Sequence, residues 1–198
     1  MNTDTLDGDF GLLDQAPRFA GFGPRLGAAL LDGLVFSPLI FGALYFQMMS
    51  PNFMAYVGIM VLASIYKPVM EGAFGATPGK MILKLKVVGK ESAPLTYSQA
   101  FTRYTPWLLS LLISLYFAQM TFQIPGLEDV DGFMEYSVLV AEWQAENSNT
   151  GMTILQSLAG WIPLISALFM LGNKRKQAAH DQLAETYVIH KEAKIPSL

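Results

Sequence analysis

Four long apolar segments separated by polar loops set the pattern of this chain. The last two segments contain no charged residue, the first contains only Asp32, and the second contains Lys67 and Glu71. The segments are residues 26–47, 53–74, 104–122 and 152–171. Each is long enough to cross a bilayer, which takes about 20 predominantly apolar residues. The pattern therefore predicts an all-α membrane protein with four transmembrane helices.

A shorter alternating pattern follows the second segment. In MILKLKVVG, Leu83, Leu85 and Val87 alternate with Lys84 and Lys86, which is the period of a half-buried strand. A single strand leaves its backbone groups unpaired, and TYVIHK near the C-terminus is a possible partner. We expect the two to form a two-stranded β element on the cytoplasmic face. A basic interfacial helix is the alternative.

The loop between the third and fourth segments, residues 123–151, is strongly acidic. It holds six carboxylates and no lysine or arginine. Within it, FMEYSVLVAEWQ has apolar residues at three- and four-residue spacing, which is typical of an amphipathic helix at a membrane interface. The loop can act as a cation-attracting vestibule or simply as a polar outer cap. The cap is the more ordinary of these two interpretations.

Composition agrees with the membrane class and excludes several functions. Hydrophobic residues make up 52% of the 198 residues, charged residues make up 15%, and the mean hydropathy is +0.35. Cysteine is absent, so disulfides, thiolate metal sites and cysteine nucleophiles are excluded. No catalytic or nucleotide-binding motif is present, and we expect no enzyme activity, no cofactor and no metal site. The net charge of −3 argues against nucleic-acid binding.

The basic residues lie on one side of the predicted spans. They precede the first segment, lie between the second and third, and follow the fourth, while residues 104–173 contain none. The remaining base, Lys67, is in the second segment near its cytoplasmic end. By the positive-inside rule, both termini and the middle loop are cytoplasmic, and the protein is a multi-pass protein of the cell (inner) membrane. We divide the chain into an acidic flexible tail (1–18), a membrane domain (19–190) and a short C-terminal tail (191–198).

Several of these bases are placed to meet the membrane surface. Thr77-Pro78-Gly79-Lys80 fits a type II turn after the second span. Candidates for contact with lipid phosphates are Lys80 in this turn and the run of Lys174, Arg175 and Lys176. Arg103 lies at the cytoplasmic mouth of the third span.

Charges inside the apolar segments are the main candidates for a functional site. Arg25 and Asp32 are seven residues apart, so they share one helix face with the carboxylate about 10 Å deeper. A lone carboxylate at bilayer depth costs on the order of 3 kcal/mol, so Asp32 should have a partner or a proton. Lys67 and Glu71, four residues apart, can pair along their helix near the interface.

The C-terminal segment supplies a further cluster. His180 and Asp181 lie in AAHDQLAE, which can dip back towards the membrane or run along it as a helix. His180 can titrate near its ordinary pKa of about 6.5 or act as a hydrogen-bond partner.

These features together resemble the RDD family of membrane proteins. The likeness rests on Arg25 opening the first span, Asp32 seven residues later, the TPGK sequence, and the terminal KQAAHDQLAET stretch. It covers about residues 19–189. The family is named for one arginine and two aspartates, and the resemblance implies that these are Arg25, Asp32 and Asp181. It also implies transport, since cation/proton antiport has been proposed for some members.

Two uses of the Arg25, Asp32 and Asp181 constellation therefore remain open. An intramembrane carboxylate beside a guanidinium can exchange a proton for a small cation, as in a proton-coupled transporter. Alternatively, Arg25 can bridge both aspartates in a fixed clamp, and the protein is then an anchor, assembly or regulatory partner in the bilayer. Four short helices enclose little space, so a transporter of this size is expected to form a homo-oligomer.

Overall fold

The computed structural model describes residues 17–191. The acidic N-terminal tail, apart from its last two residues, and the C-terminal tail after Lys191 lie outside the described residues.

The described chain is mostly helical and carries a small two-stranded sheet. In chain order, its elements are α1 (Phe22–Met48), α2 (Phe53–Phe74), α3 (Pro78–Ile82), β1 (Leu85–Val88), α4 (Tyr97–Thr121), α5 (Phe133–Asn147), α6 (Thr150–Leu168), α7 (Ala179–Leu183) and β2 (Tyr187–His190). Short 3₁₀ turns cover Lys90–Ser92, Leu127–Asp129 and Phe169–Gly172.

Polar caps in the sequence explain where the long helices begin and end. The side chain of Asn52 accepts a hydrogen bond from the N–H of Ala55 at the start of α2, and Asn149 caps α6 in the same way. Thr96 and Gln99 form a capping box at the start of α4. Helix α2 ends at Phe74, and its C-cap residue Gly75 has a φ of 70°, the left-handed conformation that glycine adopts without strain.

Three helices are long and apolar enough to cross a membrane. They are α1, α2 and the stretch Thr150–Gly172, which comprises α6 and the 3₁₀ turn after it. The first, second and fourth predicted spans lie within them. The third predicted span lies in α4, which has 25 residues but whose serine, threonine and tyrosine residues make it less apolar than the other three.

The long helices pack in a row in which each contacts its neighbour. Helix α2 packs against both α1 and α4, α4 also packs against α6, and the short α3 packs against α1. Large apolar side chains such as Leu30, Leu62 and Leu112 are exposed on the outside of the row. A protein facing water would bury these side chains, whereas one facing lipid leaves them exposed.

The predicted pairing of the two strands is confirmed. Strand β1 pairs antiparallel with β2, with Leu85 opposite His190 and Val88 opposite Tyr187. The segment before α1 extends this pairing, because Phe19 forms an antiparallel bridge with Ile189. Val87 and Val188 face each other in the register and are fully buried, so one face of the sheet packs onto the protein.

Two local predictions concern the connections. The type II turn predicted for residues 77–80 is wrong, because Thr77 is instead the N-cap residue of α3 and Pro78 occupies its first turn. Proline suits that position, since its φ is already helical and no N–H is needed there. The helix predicted in the acidic loop is present as α5, and its Tyr136 is buried.

Candidate functional site

Charged residues from five helices meet at the same end of the long helices. Arg25 lies in the first turn of α1, Glu71 near the end of α2, Lys80 in α3, Arg103 in the second turn of α4, and Asp181 in α7 after α6. Neighbouring helices in the row run in opposite directions, so these positions fall together although they are far apart in sequence. We call Arg25, Glu71, Lys80, Arg103 and Asp181 the charged network.

Asp181 is the most buried member of the network. It forms ion pairs with Arg25 and with Arg103, whose Nη1 lies 2.5 Å from its Oδ1, and it accepts a hydrogen bond of 3.0 Å from the N–H of Ala178. Its exposed fraction is 0%. Burial alone would raise the pKa of Asp181, but Arg103 and Arg25 outweigh burial and hold that pKa well below its usual range. Asp181 is therefore a fixed anion that joins α7 to α1 and α4.

Glu71 forms the second centre of the network. It pairs with Lys80 of α3 and with Arg103, whose Nε lies 3.0 Å from its Oε2. Burial lowers the pKa of Lys80, and Glu71 opposes that shift. Arg103 thus joins the two carboxylates, and its Nη1 also donates to the hydroxyl of Thr186 at 2.5 Å.

The predicted pairing of Lys67 with Glu71 along α2 is absent from the ion pairs of the described residues. The Nζ of Lys67 instead lies 3.1 Å from the ring centroid of Trp107 on α4, a cation–π contact. Glu71 forms its ion pairs with Lys80 of α3 and Arg103 of α4 instead.

Asp32 has partners other than the one expected. Its carboxylate accepts a hydrogen bond from the hydroxyl of Thr77 at 2.6 Å and one from the N–H of Gly79 at 2.7 Å. The expected bridge from Arg25 to Asp32 is replaced by bonds from Arg25 to Asp181 and to the backbone oxygens of Ala20 and Lys176. The structure therefore brings Arg25 and Asp181 together and leaves Asp32 in a separate contact that holds α3 on α1.

Close approach of α3 to α1 depends on Gly79. A Cβ at this position would collide with the carbonyl oxygen of Ala28 and would lie 2.9 Å from the backbone nitrogen of Asp32. The TPGK sequence therefore supplies a hydroxyl and an N–H for Asp32, a residue without a side chain where two backbones meet, and Lys80 for Glu71.

The remaining predicted site residues take different positions. His180 is buried, and its Nδ1 lies 2.8 Å from the hydroxyl of Ser166 on α6. Burial lowers the pKa of His180 to about 3, so it is neutral at pH 7 and does not titrate near 6.5. Lys174, Arg175 and Lys176 are exposed, as a surface contact with lipid phosphates requires, whereas Lys80 is committed to Glu71.

Sequence reasoning missed the uncharged partners of the network. Thr77 and Thr186 are fully buried, and Gln177 donates to the backbone oxygen of Thr186 at 3.0 Å. A threonine followed by proline does signal the start of a helix, with threonine as N-cap and proline in the first turn. That signal was available at Thr77. Thr186 closes the KQAAHDQLAET stretch that carries the family resemblance, but nothing local predicts its contact with Arg103.

A cavity of about 320 Å³ lies beside the network. Its polar lining includes Arg25, Asp32, Lys67, Lys80 and Arg103. Every buried side-chain nitrogen and oxygen in the described part of the chain has a hydrogen-bond partner. Within residues 17–191, no group of three or more histidine, aspartate or glutamate side chains is arranged to hold a metal ion.

Comparison with known proteins agrees with the geometry. A search of curated proteins gave no match, and neither did a search of solved structures. The profile described as the RDD family matches residues 19–185, which spans the charged network, Asp32 and the TPGK sequence. Because this match covers most of the chain, the protein belongs to the RDD family of membrane proteins.

Proposed function

We propose that this protein is a membrane anchor or assembly partner whose charged network is a structural clamp. The observation that carries the proposal is that each buried carboxylate is bonded to groups on other elements. Asp181 joins α7 to α1 and α4, Glu71 joins α2 to α3 and α4, and Asp32 joins α1 to α3. The clamp fixes α3, α7 and the sheet against the long helices. These elements then form a rigid platform on which other proteins can assemble.

The proposal includes four membrane spans, with α4 as the third. Helix α4 is about 37 Å long, which exceeds the hydrocarbon thickness of about 30 Å. It packs between α2 and α6, which are both apolar enough to span, and it exposes Leu108, Leu109 and Leu112. A helix of this length beside two spanning helices is buried in the same bilayer.

Four spans and the positions of the basic residues support an orientation in the cell (inner) membrane. The network, the sheet and the exposed bases Lys174, Arg175 and Lys176 are at one end of the helices, and the acidic loop with α5 connects the other ends. By the positive-inside rule the platform and both termini are cytoplasmic. We propose the lipid bilayer as a partner, no nucleic acid partner, and no enzyme activity.

Substitutions at Asp32 test the clamp. Asn retains an acceptor for the Gly79 N–H and an amide that can donate to the Thr77 hydroxyl, so Asp32→Asn should unfold at nearly the wild-type temperature in detergent. Asp32→Ala leaves both groups buried without a partner and should lower the free energy of unfolding by about 1–3 kcal/mol for each. Equal stability of Asp32→Ala and wild type would rule out the clamp at this residue.

A second candidate function is proton-coupled transport of a small cation or other small solute. It is favoured by the cavity, because Asp32 lines it and is 8% exposed. A homo-oligomer belongs to this candidate, since a single row of helices forms a poor wall for a solute path.

Flux measurements separate the two candidates. Purified protein in liposomes is tested for movement of Na⁺, Li⁺ and K⁺ against a pH gradient. Flux that is abolished in folded Asp32→Asn would establish transport with a coupling carboxylate. Absence of flux for every ion, with folding intact, would leave the clamp as the function of the site.

A further inference from the structure

The cavity of about 320 Å³ lies between α1 and α6, the first and last helices of the row. Its walls come from α1, with Phe22, Leu26 and Ala29, and from α6, with Pro163 and Leu164. In the described residues, α1 and α6 lack the extensive packing that joins each other pair of neighbours in the row. The cavity therefore separates α1 from α6.

The walls continue into the lipid-facing surface. Leu26 and Leu164, on opposite walls, are 46% and 39% exposed. Gly160 also lines the cavity, and a Cβ added there would meet no atom within 4 Å. An occupant can thus enter from the side of the helix row, with an apolar part between the leucines.

The floor of the cavity carries an excess of positive charge. The cations at or beside it are Arg25, Lys67, Lys80 and Arg103, and the carboxylates bonded within the site are Asp32, Glu71 and Asp181. With Lys67 protonated, four cations against three anions leave one positive charge. His180 also lines the cavity but adds no charge at pH 7, because burial lowers its pKa to about 3. An anion with a single charge would balance the site.

Among the described residues, Lys67 is the cation of this site that forms no ion pair with a carboxylate. Its Nζ lies 3.1 Å from the Trp107 ring centroid, and both side chains line the cavity. The ring stabilises the ammonium on one side but accepts no conventional hydrogen bond. The donors of Lys67 are thus available to a ligand in the cavity.

We propose that this cavity binds an anionic phospholipid, with the phosphodiester paired to Lys67 and an acyl chain lying between α1 and α6. A phosphodiester carries one negative charge, which matches the excess of the floor, and the acyl chain matches the apolar walls. A soluble anion would leave these walls and the lateral opening unexplained. The site is distinct from the exposed bases at residues 174–176, which do not line this cavity.

Native mass spectrometry of the full-length protein in mixed micelles tests the proposal. Wild type should retain phosphatidylglycerol and not phosphatidylcholine. Lys67→Met should reduce retention about ten-fold, which corresponds to about 1.4 kcal/mol, while Lys67→Arg should restore it. The matched control is Lys84→Met, because Lys84 is exposed outside the cavity, and it should bind as wild type does.

A second variant blocks the cavity without removing a charge. Gly160→Leu should fill the space and displace phosphatidylglycerol, whereas Gly33→Leu, on the exposed face of α1, should not. Equal retention of both lipids by wild type, or unchanged retention in both folded Lys67→Met and Gly160→Leu, would overturn the proposal. It would also be overturned if dimethyl phosphate, the same monoanion without chains, displaced the lipid at equal concentration.

Discussion

Arg103 is the residue that joins the two halves of the charged network. Its guanidinium contacts Glu71, Asp181 and Thr186, and only 3% of the residue is exposed. A planar group with several fixed donors suits this position, since one side chain must bond to acceptors on α2, on α7 and on Thr186 just before β2. A lysine would provide the charge but could not reach all three acceptors.

Removal of this guanidinium should strongly destabilise the protein. Arg103→Met retains much of the side-chain volume but leaves Glu71 and Asp181 with one cationic partner each. Breaking a buried ion pair by removing one partner typically costs about 3–5 kcal/mol, because the remaining charge stays buried. We expect a loss on the order of 3 kcal/mol in the free energy of unfolding, measured by denaturant titration in detergent.

Arg175→Met is the matched control for that measurement. Arg175 is exposed and donates to the hydroxyl of Tyr187 at 3.1 Å, so its loss should change the free energy of unfolding by less than about 1 kcal/mol. If the two variants were equally stable, the network would not be a clamp.

At the scale of elements, α3 is one of the two shortest α-helices in the described part of the chain, and it packs closely against α1. It has five residues, and an isolated helix of that length is not stable in water. It is held by Asp32 at its first turn, by Lys80 pairing with Glu71, and by backbone contact with α1 through Gly79. Its stability is therefore tertiary in origin.

Gly79→Ala should detach α3 from α1. The added methyl group would collide with the Ala28 carbonyl, and that backbone is inside α1 and cannot yield easily. We expect a lower unfolding temperature and faster proteolysis around residues 77–84. Gly33→Ala is the control, because a Cβ at Gly33 meets nothing within 4 Å and alanine favours the helix. A Gly79→Ala protein as stable as the control would show that this contact is dispensable.

The elements also show how far local sequence reasoning extends. The strands were predictable because alternation in residues 83–88 is a local signal with one compatible partner, and the long helices were predictable from length and apolarity. The local sequence predicts a turn in place of α3, because proline and glycine dominate its first residues. Its helical form depends on Asp32, which is 45 residues from Thr77.

The site was predictable only in its composition. Arg25 and Asp181 were associated through the family resemblance, and the structure brings them together. The predicted pairing of Asp32 with Arg25 is wrong. The spacing within α1 places Arg25 on the same helix face, but it does not show which other element approaches Asp32. The spacing within α2 likewise predicts that Glu71 pairs with Lys67, but Glu71 pairs instead with Lys80 of α3 and Arg103 of α4. Contacts between distant elements decide which charges pair.

At the scale of the whole molecule, the number of spans determines which ends of the helices share a compartment. With α1, α2, α4 and α6 all crossing, the loop after α1 and helix α5 lie outside, while the α3 connection and the segment after α6 lie inside. If α4 did not cross, everything between α2 and α6 would lie on one side. With four spans, α3 and α5 lie on opposite sides of the membrane, and with three spans they lie on the same side.

Single introduced cysteines can measure this, because the chain has none of its own. Suitable exposed positions are Ser50, Ala93, Ala145 and Lys174. With four spans and cytoplasmic termini, a membrane-impermeant maleimide should label Ser50→Cys and Ala145→Cys in intact cells. Ala93→Cys and Lys174→Cys should react only after permeabilisation. Identical behaviour of Ala93→Cys and Ala145→Cys would mean that α4 lies in the bilayer without crossing it, and the reverse pattern of all four would invert the orientation that the basic residues predict.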